Sequence, residues 1–283
     1  MNFRRTLQNF HWSFFCKVDL IKKIFFRKKN TVLTYCYRDL DKTSGVSQPQ
    51  FNTAIVMQGP IIRNNNFTCK VASYYRNAFP NVKLVISTWE NELPSRKIEH
   101  LRELGIIVVL NQVPSFHGRG NVNLQLISTS SGIKALEKFD IKRIIKTRTD
   151  QALLNPYLFS IIEDKFILNS NKIMVSTFNS FSDPLVSLSD MFQYGNYEDI
   201  REFWIDCKLQ SSTANPIPEI YLLNSYLSNK IGKNHQGIQL TEKMLLSYFS
   251  LVNGNLLDLI WNKKSLHDIK TYRWNIELKP IQE

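Results

Sequence analysis

Three short stretches of the chain, TAIVMQGP from Thr53, KLVISTWE from Lys83 and GIIVVLNQ from Gly105, place apolar residues at consecutive positions and stop at polar or Gly-Pro clusters. Apolar runs without period-2 alternation mark strands covered on both faces. Between them, FTCKVASYYRNAF and PSRKIEHLREL repeat their apolar residues at helical spacing, with Pro80, Pro94 and Gly105 as boundaries. NVNLQLISTSSGIKALEKF supplies another helix and KRIIKTRTD a fourth strand. The order is β-α-β-α-β-α-β, which predicts an α/β fold with a mostly parallel central sheet flanked by helices. A strand IMVSTFN at 173–179 joins that sheet. Beyond residue 180 the rhythm changes to NYEDIREFWIDCKL, IPEIYLLNSYLSNKI and TEKMLLSYFSLV, which predict an aromatic, helical C-terminal part.

Composition adds one asymmetry. The 283 residues hold 36 Lys and Arg against 24 Asp and Glu, a net charge of +12, with 43% hydrophobic residues. That hydrophobic share excludes a disordered chain. Residues 1–30 carry eight Lys and Arg against Asp19 alone, seven of the twelve net charges, interleaved with Phe3, Phe10, Trp12, Phe14, Phe15, Phe25 and Phe26. Aromatic residues interleaved with cations suit an anionic membrane surface; a solvated basic helix packed on the domain is the alternative. No apolar run reaches 18 residues, and the N-terminus lacks a small-residue cleavage site, so this segment is expected to stay on the mature protein. Residues 31–50 read as a connector and 51–283 as the catalytic body. The four cysteines form no CxxC pair and read as reduced, buried thiols of a cytosolic protein. With only +5 outside the first thirty residues and no zinc finger or RNP1 motif, no nucleic-acid partner is expected. A non-catalytic basic protein bound to membrane or nucleic acid is the rival class.

Ligands of parallel sheets sit beyond the carboxyl ends of the strands. Here those ends read Gln58-Gly59-Pro60, Ser87-Thr88-Trp89-Glu90, Asn111-Gln112 and Thr147-Arg148-Thr149-Asp150. Asp150 can present a carboxylate to a divalent metal on a substrate diphosphate, or simply cap the next helix; Arg148 can pair with phosphate oxygens.

IVMQGPI, VISTWE, NVNLQLISTSSGI and IIKTRTDQ, in this order and spacing, resemble the WavE-type lipopolysaccharide synthesis family of bacteria, over most of residues 53–275. The resemblance implies a GT-A-like nucleotide-diphospho-sugar transferase fold, with 51–180 as the nucleotide-sugar half and 181–283 as the acceptor half. It implies a glycosyltransferase, hexosyl- or related, using a nucleotide-sugar such as a UDP-sugar. The acceptor would be a lipid-linked glycan or polysaccharide of lipopolysaccharide or capsule, and the enzyme peripheral on the inner face of the cytoplasmic membrane. Arg148 stands where such folds usually carry the first Asp of Asp-x-Asp, which puts dependence on Mn²⁺ or Mg²⁺ at Asp150 in doubt.

On that reading Gln58, Gly59 and Pro60 line the nucleotide pocket, Trp89 shields the nucleotide and Glu90 accepts ribose hydroxyls. Arg119, Asn121, Asn123 and Gln125, where a Gly-flexed loop enters a helix, face the diphosphate beside Thr149 and Asp150. Arg148 stabilises the leaving diphosphate. A carboxylate that accepts the acceptor proton is sought among Asp183, Asp190 and Glu219, with Asp190 and Glu219 favoured. Asp190 precedes MFQYG, read as an aromatic loop suited to a sugar face. Tyr194, Tyr197, Trp204, Tyr221 and Tyr226 are stacking candidates that otherwise serve as core. His235 and His267 are isolated, although His267-Asp268 near the end can be drawn toward the diphosphate.

Overall fold

The computed structural model describes residues 45–177, 180, 187–212, 216–232 and 242–262. The basic segment 1–30, most of the connector, Asp183, His235, His267 and Asp268 lie outside the described residues. Thr43–Glu283 forms one compact unit.

Two of the three apolar runs become inner strands of the sheet and the third its edge strand. β1 (Thr53–Gln58) is buried at every position, and β2 (Lys83–Trp89) at every position but its first. They join β3 (Ile107–Asn111) and β4 (Arg143–Arg148) as parallel neighbours in the order β3-β2-β1-β4. The connecting helices are α1 (Phe67–Ala78), α2 (Ser95–Glu103) and α3 (Val122–Lys134). Chain order runs outward from β1 to β3 and returns beside β1 at β4, so the sheet has a topological switch point between β1 and β4.

α3 packs Val122, Leu126 and Ile133 on Ala54, Val56, Val85 and Ile144, one alternate set of strand residues. Ile55, Met57, Leu84 and Ile86, also buried, turn to the opposite face. Gly132 lets α3 approach closely, since a Cβ there would lie 2.7 Å from Val56 Cγ1 and 3.1 Å from Ser87 Cβ.

The C-terminal half departs from the helical expectation. After β5 (Gln151–Leu153) and α4 (Leu158–Leu168), three strands extend the main sheet: β6 (Ile173–Ser176), β7 (Gln193–Asn196) and β8 (Phe249–Val252), in the order β4-β7-β6-β8. β7 is antiparallel to both β4 and β6. The expected sugar-facing loop MFQYG is therefore a buried run whose last three residues open an inserted strand, with Met191, Phe192 and Tyr194 in the core. TEKMLLSYFSLV, expected as one helix, divides into α7 (Glu242–Tyr248) and β8. The β-favouring tail Phe249-Ser250-Leu251-Val252 pairs with β6 in parallel. α5 (Tyr197–Ile205) and α6 (Pro218–Ile231) form as expected and cover the α3 side, where Trp204, Phe203, Tyr226 and Phe249 stack edge-on and tilted. Trp204 and Tyr226 are thus core, as is Tyr194, while Tyr197 and Tyr221 are half-buried. β9 (Leu259–Trp261) pairs with β5 in a separate two-stranded ribbon.

Gly132→Ala should lower stability by about 1 kcal/mol, the overpacking outweighing the helix propensity gained. In a Val56→Ala background the same change should be neutral or stabilising. Urea denaturation of the four proteins measures this, and equal effects in both backgrounds would contradict the close contact.

Candidate functional site

At the switch point the ends of β1 and β4 are stitched together. Thr149 donates its main-chain N–H to Gln58 O at 3.0 Å and its hydroxyl to Pro60 O at 2.6 Å, and its own carbonyl accepts from Thr68 Oγ1 at 2.8 Å. Gly59, with φ +120°, carries the chain past Thr149, whose Oγ1 would stand 3.0 Å from a Cβ there. Any other residue would be strained in that left-handed region. Gln58 is buried and its Oε1 accepts from Ser128 Oγ of α3 at 2.9 Å. Pro60 is exposed.

Register puts Val56 beside Lys146 and Gln58 beside Arg148, so two cations two residues apart point to the α3 face of β4. Lys146 is fully buried. Its Nζ donates to Asp190 O, lies 3.6 Å from Asp190 Oδ2 and stands 4.7 Å from the centre of the Trp204 ring. Trp204 is held in turn by its Nε1 donating to Gln193 Oε1 at 2.6 Å. Arg148, nearer the edge, donates from Nε to Asp150 Oδ1 at 2.9 Å, from Nη2 to Asp150 Oδ2 at 3.0 Å and from Nη1 to Asp190 Oδ2 at 3.4 Å. Trp261 Nε1 also donates to Asp150 Oδ2, at 2.9 Å. The four charges cancel within the cluster.

Electrostatics follow from this packing. Burial pulls the Lys146 amine down to about 8 although Asp190 opposes it; Arg148 nearby lowers it further. Burial also disfavours the Arg148 guanidinium, but Asp190 and Asp150 outweigh it and the group is held above its ordinary value. For Asp190 burial pushes upward, and Lys146 with Arg148 overcomes it to leave the carboxyl below the usual range. A carboxylate so held is a weak base.

The segment FHGRGN enters α3 through positive φ at Gly118, Gly120 and Asn121. Arg119 and Asn121 are exposed there, and Asn121 makes no side-chain cap. Asn123 is committed to the protein: its amide bonds Phe116 O and Gln210 O and accepts from Gln210 N, at 3.0, 2.9 and 2.7 Å. Gln210 Oε1 also accepts from Arg119 N at 2.8 Å. Gln125 differs, because its Oε1 is buried with no partner among the described residues, as is Thr129 Oγ1 one turn later. Glu219 lies in the first turn of α6, whose Pro218 packs against Gly120 so closely that a Cβ there would sit 2.8 Å from Pro218 Cδ. Trp89 is buried at the end of β2, and Glu90 beside it is exposed.

The sequence-predicted residues thus fall into groups. Gln58, Gly59, Arg148, Thr149, Asp150 and Asp190 converge at the ends of β1 and β4, and Arg119, Asn121, Asn123, Gln125 and Glu219 gather at the entry to α3 and α6. Trp89 and Glu90 stand at the end of β2. Asp150 caps no helix. It does not fit the expected metal role either, because both its oxygens are occupied by Arg148 and Trp261. Among the described residues no group of three His, Cys, Asp or Glu can hold an ion. Sequence reading missed Lys146, Trp261 and Gln210. A Lys inside the apolar strand RIIKTR, at period 2 from Arg148, was the available signal for the first.

Residues 53–238 match the family described as WavE lipopolysaccharide synthesis. No curated protein matches the sequence. Among solved structures the chain is similar to a nucleoside-diphosphate-sugar pyrophosphorylase from Vibrio cholerae RC9, at 14% identity and TM-score 0.42, over 74% of this chain and 95% of that one. It is also similar to S. aureus TarS, at 9% identity and TM-score 0.38, over 71% of this chain and 35% of that one. Likeness of this degree carries no chemistry, which rests on the side chains.

The low value of Lys146 has a sign that can be measured. Between about 8 and the ordinary 10.5 the unfolded chain keeps this proton and the folded one has released it, so stability rises with pH across that window. Thermal melts from pH 7 to 10.5 should show the rise in the wild type relative to Lys146→Met. At pH 7 that variant should lose about 3–5 kcal/mol by leaving Asp190 underpaired, and adding Asp190→Asn should restore part of it.

Proposed function

The chain belongs to the WavE lipopolysaccharide synthesis family, and on that premise we propose that it is a GT-A-like glycosyltransferase. In this reading it moves a sugar from a nucleotide-sugar donor to a growing lipopolysaccharide or capsular polysaccharide acceptor. The observation that carries the reading is the pair of cations, Lys146 and Arg148, delivered by one strand to the switch point of a mostly parallel sheet. Cleaving a sugar–phosphate bond develops negative charge on the leaving nucleoside diphosphate. Preorganised donors in a low-dielectric site stabilise that charge strongly.

Arg148 is the group that meets the diphosphate, with Lys146 behind it holding the Asp190 carboxylate that braces the guanidinium. Gly59 allows the backbone of the β1 end to approach the nucleotide, and Gln125 Oε1, a buried acceptor without a partner among the described residues, takes one of the nucleotide's N–H or O–H groups. In the same reading Arg119 and Asn121, at the entry to α3, and Trp89 and Glu90, at the end of β2, contribute to the nucleotide site. Asp190 is reassigned from proton acceptor to anchor of the two cations, on account of its lowered pKa and its contacts. Glu219 remains the carboxylate proposed to accept the acceptor's proton. Positive charge is supplied by side chains, so no step is routed through a divalent ion.

Membrane attachment belongs to the same proposal. Among the described residues no helix is long and apolar enough to cross a membrane. The aromatic, +7 segment 1–30 is the proposed peripheral anchor at the inner face of the cytoplasmic membrane.

A thermal-shift panel of UDP-, GDP- and CMP-sugars should give a shift with one nucleotide class, about 2.7 kcal/mol of stabilisation at 100 times its dissociation constant. Arg148→Ala should reduce donor turnover about 10²–10³-fold, and EDTA should leave the wild-type rate unchanged. Absence of any shift, together with salt-sensitive RNA binding, would overturn the enzyme reading. Separately, deletion of residues 1–30 should abolish cosedimentation with anionic vesicles while leaving turnover on a soluble acceptor intact; retained vesicle binding would refute the anchor.

A further inference from the structure

The family match ends at residue 238, and β9 comes from chain beyond it. This strap reaches the site at Asp150 and Arg148. It pairs antiparallel with β5, which starts directly after Asp150, and from there it grips Asp150 twice. Asn262 N donates to Asp150 O at 2.8 Å, and Trp261 Nε1 donates to Asp150 Oδ2 at 2.9 Å. The ring of Trp261 also lies over the guanidinium, its centre 5.8 Å from Arg148 Cζ.

Asp150 is the partner that orients Arg148, taking Nε and Nη2 side by side, while Nη1 gives one hydrogen bond to Asp190. A guanidinium has five N–H groups, so among the described residues one on Nη1 and one on Nη2 remain for a ligand. Two such donors on a planar group match a pair of phosphate oxygens. Their direction depends on Asp150 staying where it is. Asp150 is only two residues from Arg148, and its side chain can rotate away unless something else holds it. The indole N–H does so, and the indole ring packs over the guanidinium.

We infer that Trp261 is a positioning residue: through Asp150 it fixes the guanidinium of Arg148 so that the two remaining N–H groups face the diphosphate of the nucleotide-sugar. The inference rests on the preceding reading of that ligand as a nucleoside diphosphate. It adds that a segment outside the family match completes the site.

Two measurements on the full chain test it. The first needs no ligand: ¹⁵N NMR of the arginine Nε–H groups should show a slowly exchanging Arg148 signal in the wild type that moves to the exposed-arginine range in Trp261→Phe. An unchanged signal overturns the inference. The second is a cycle on donor turnover with the responsive nucleotide-sugar. Trp261→Phe should lower kcat/KM about tenfold in the wild type and not at all in an Arg148→Ala background. Equal losses in both backgrounds would mean a general structural role and overturn the inference. Should Trp261→Phe fail to fold, replacement of Trp261 by 3-benzothienylalanine, which keeps the bicyclic shape and lacks only the N–H, gives the same readouts. A wild type that shows the NMR signal but binds no nucleotide-sugar would overturn the functional reading and leave the clasp standing.

Discussion

Two cations at positions 146 and 148 of a buried strand cannot be tolerated unless carboxylates are brought to them, because an unpaired buried charge costs several kcal/mol. β4 supplies neither partner for its inner cation. Asp190 arrives from the turn before β7, which explains why that strand is inserted antiparallel against β4: the insertion brings Asp190 across to Lys146, beside the carboxyl end of β4. Asp150 arrives from the turn after β4 and is kept in place by β9. The antiparallel strand and the small ribbon, which look like decorations on a parallel sheet, are the means by which the charge on β4 is compensated.

The second constraint is local. The β1 and β4 ends must approach closely enough for Thr149 to bond Gln58 and Pro60, and Gly59 is the position that makes room. Thr68 extends the stitch into the first turn of α1. Hydroxyls and amides that sit at strand ends and helix starts are therefore not automatically ligand groups. Thr149 and Asn123 are used to fix the walls, whereas Gln125 keeps a buried acceptor without a partner among the described residues.

That division shows how far the residues spoke before the structure did. β1 and β2 were legible because burial on both faces writes a continuous apolar run; β3 carries such a run at the sheet edge, where Leu110 is exposed, and β4 was legible from Ile144 and Ile145 following a helix although Lys146 and Arg148 interrupt it. β7 was not, because Gln193, Gly195 and Asn196 break the apolar pattern and the strand is only four residues long. β8 was hidden in a run whose first half is a genuine helix. In the site, Arg148 and Asp150 were legible as types at a strand end, but their pairing with each other and with Trp261 was not. Two of these three are neighbours in sequence, while the third is 111 positions away.

The neutrality of the cluster bears on how the proposed reaction would be selective. Lys146 and Arg148 are offset by Asp150 and Asp190, so a diphosphate gains little from net charge at long range. Its stabilisation must come from short, directed contacts in a water-poor site, where hydrogen bonds to an oriented guanidinium are stronger than in solvent. Such contacts strengthen as charge moves onto the leaving oxygens, since the donors are already in place and need no reorganisation. An ion held by two acidic residues would attract any polyphosphate; a charge-balanced fork favours an anion that fits its geometry. In the proposed reaction Arg148, standing at the first position of the usual Asp-x-Asp pattern, would offer the diphosphate a directional charge where a metal offers a point charge.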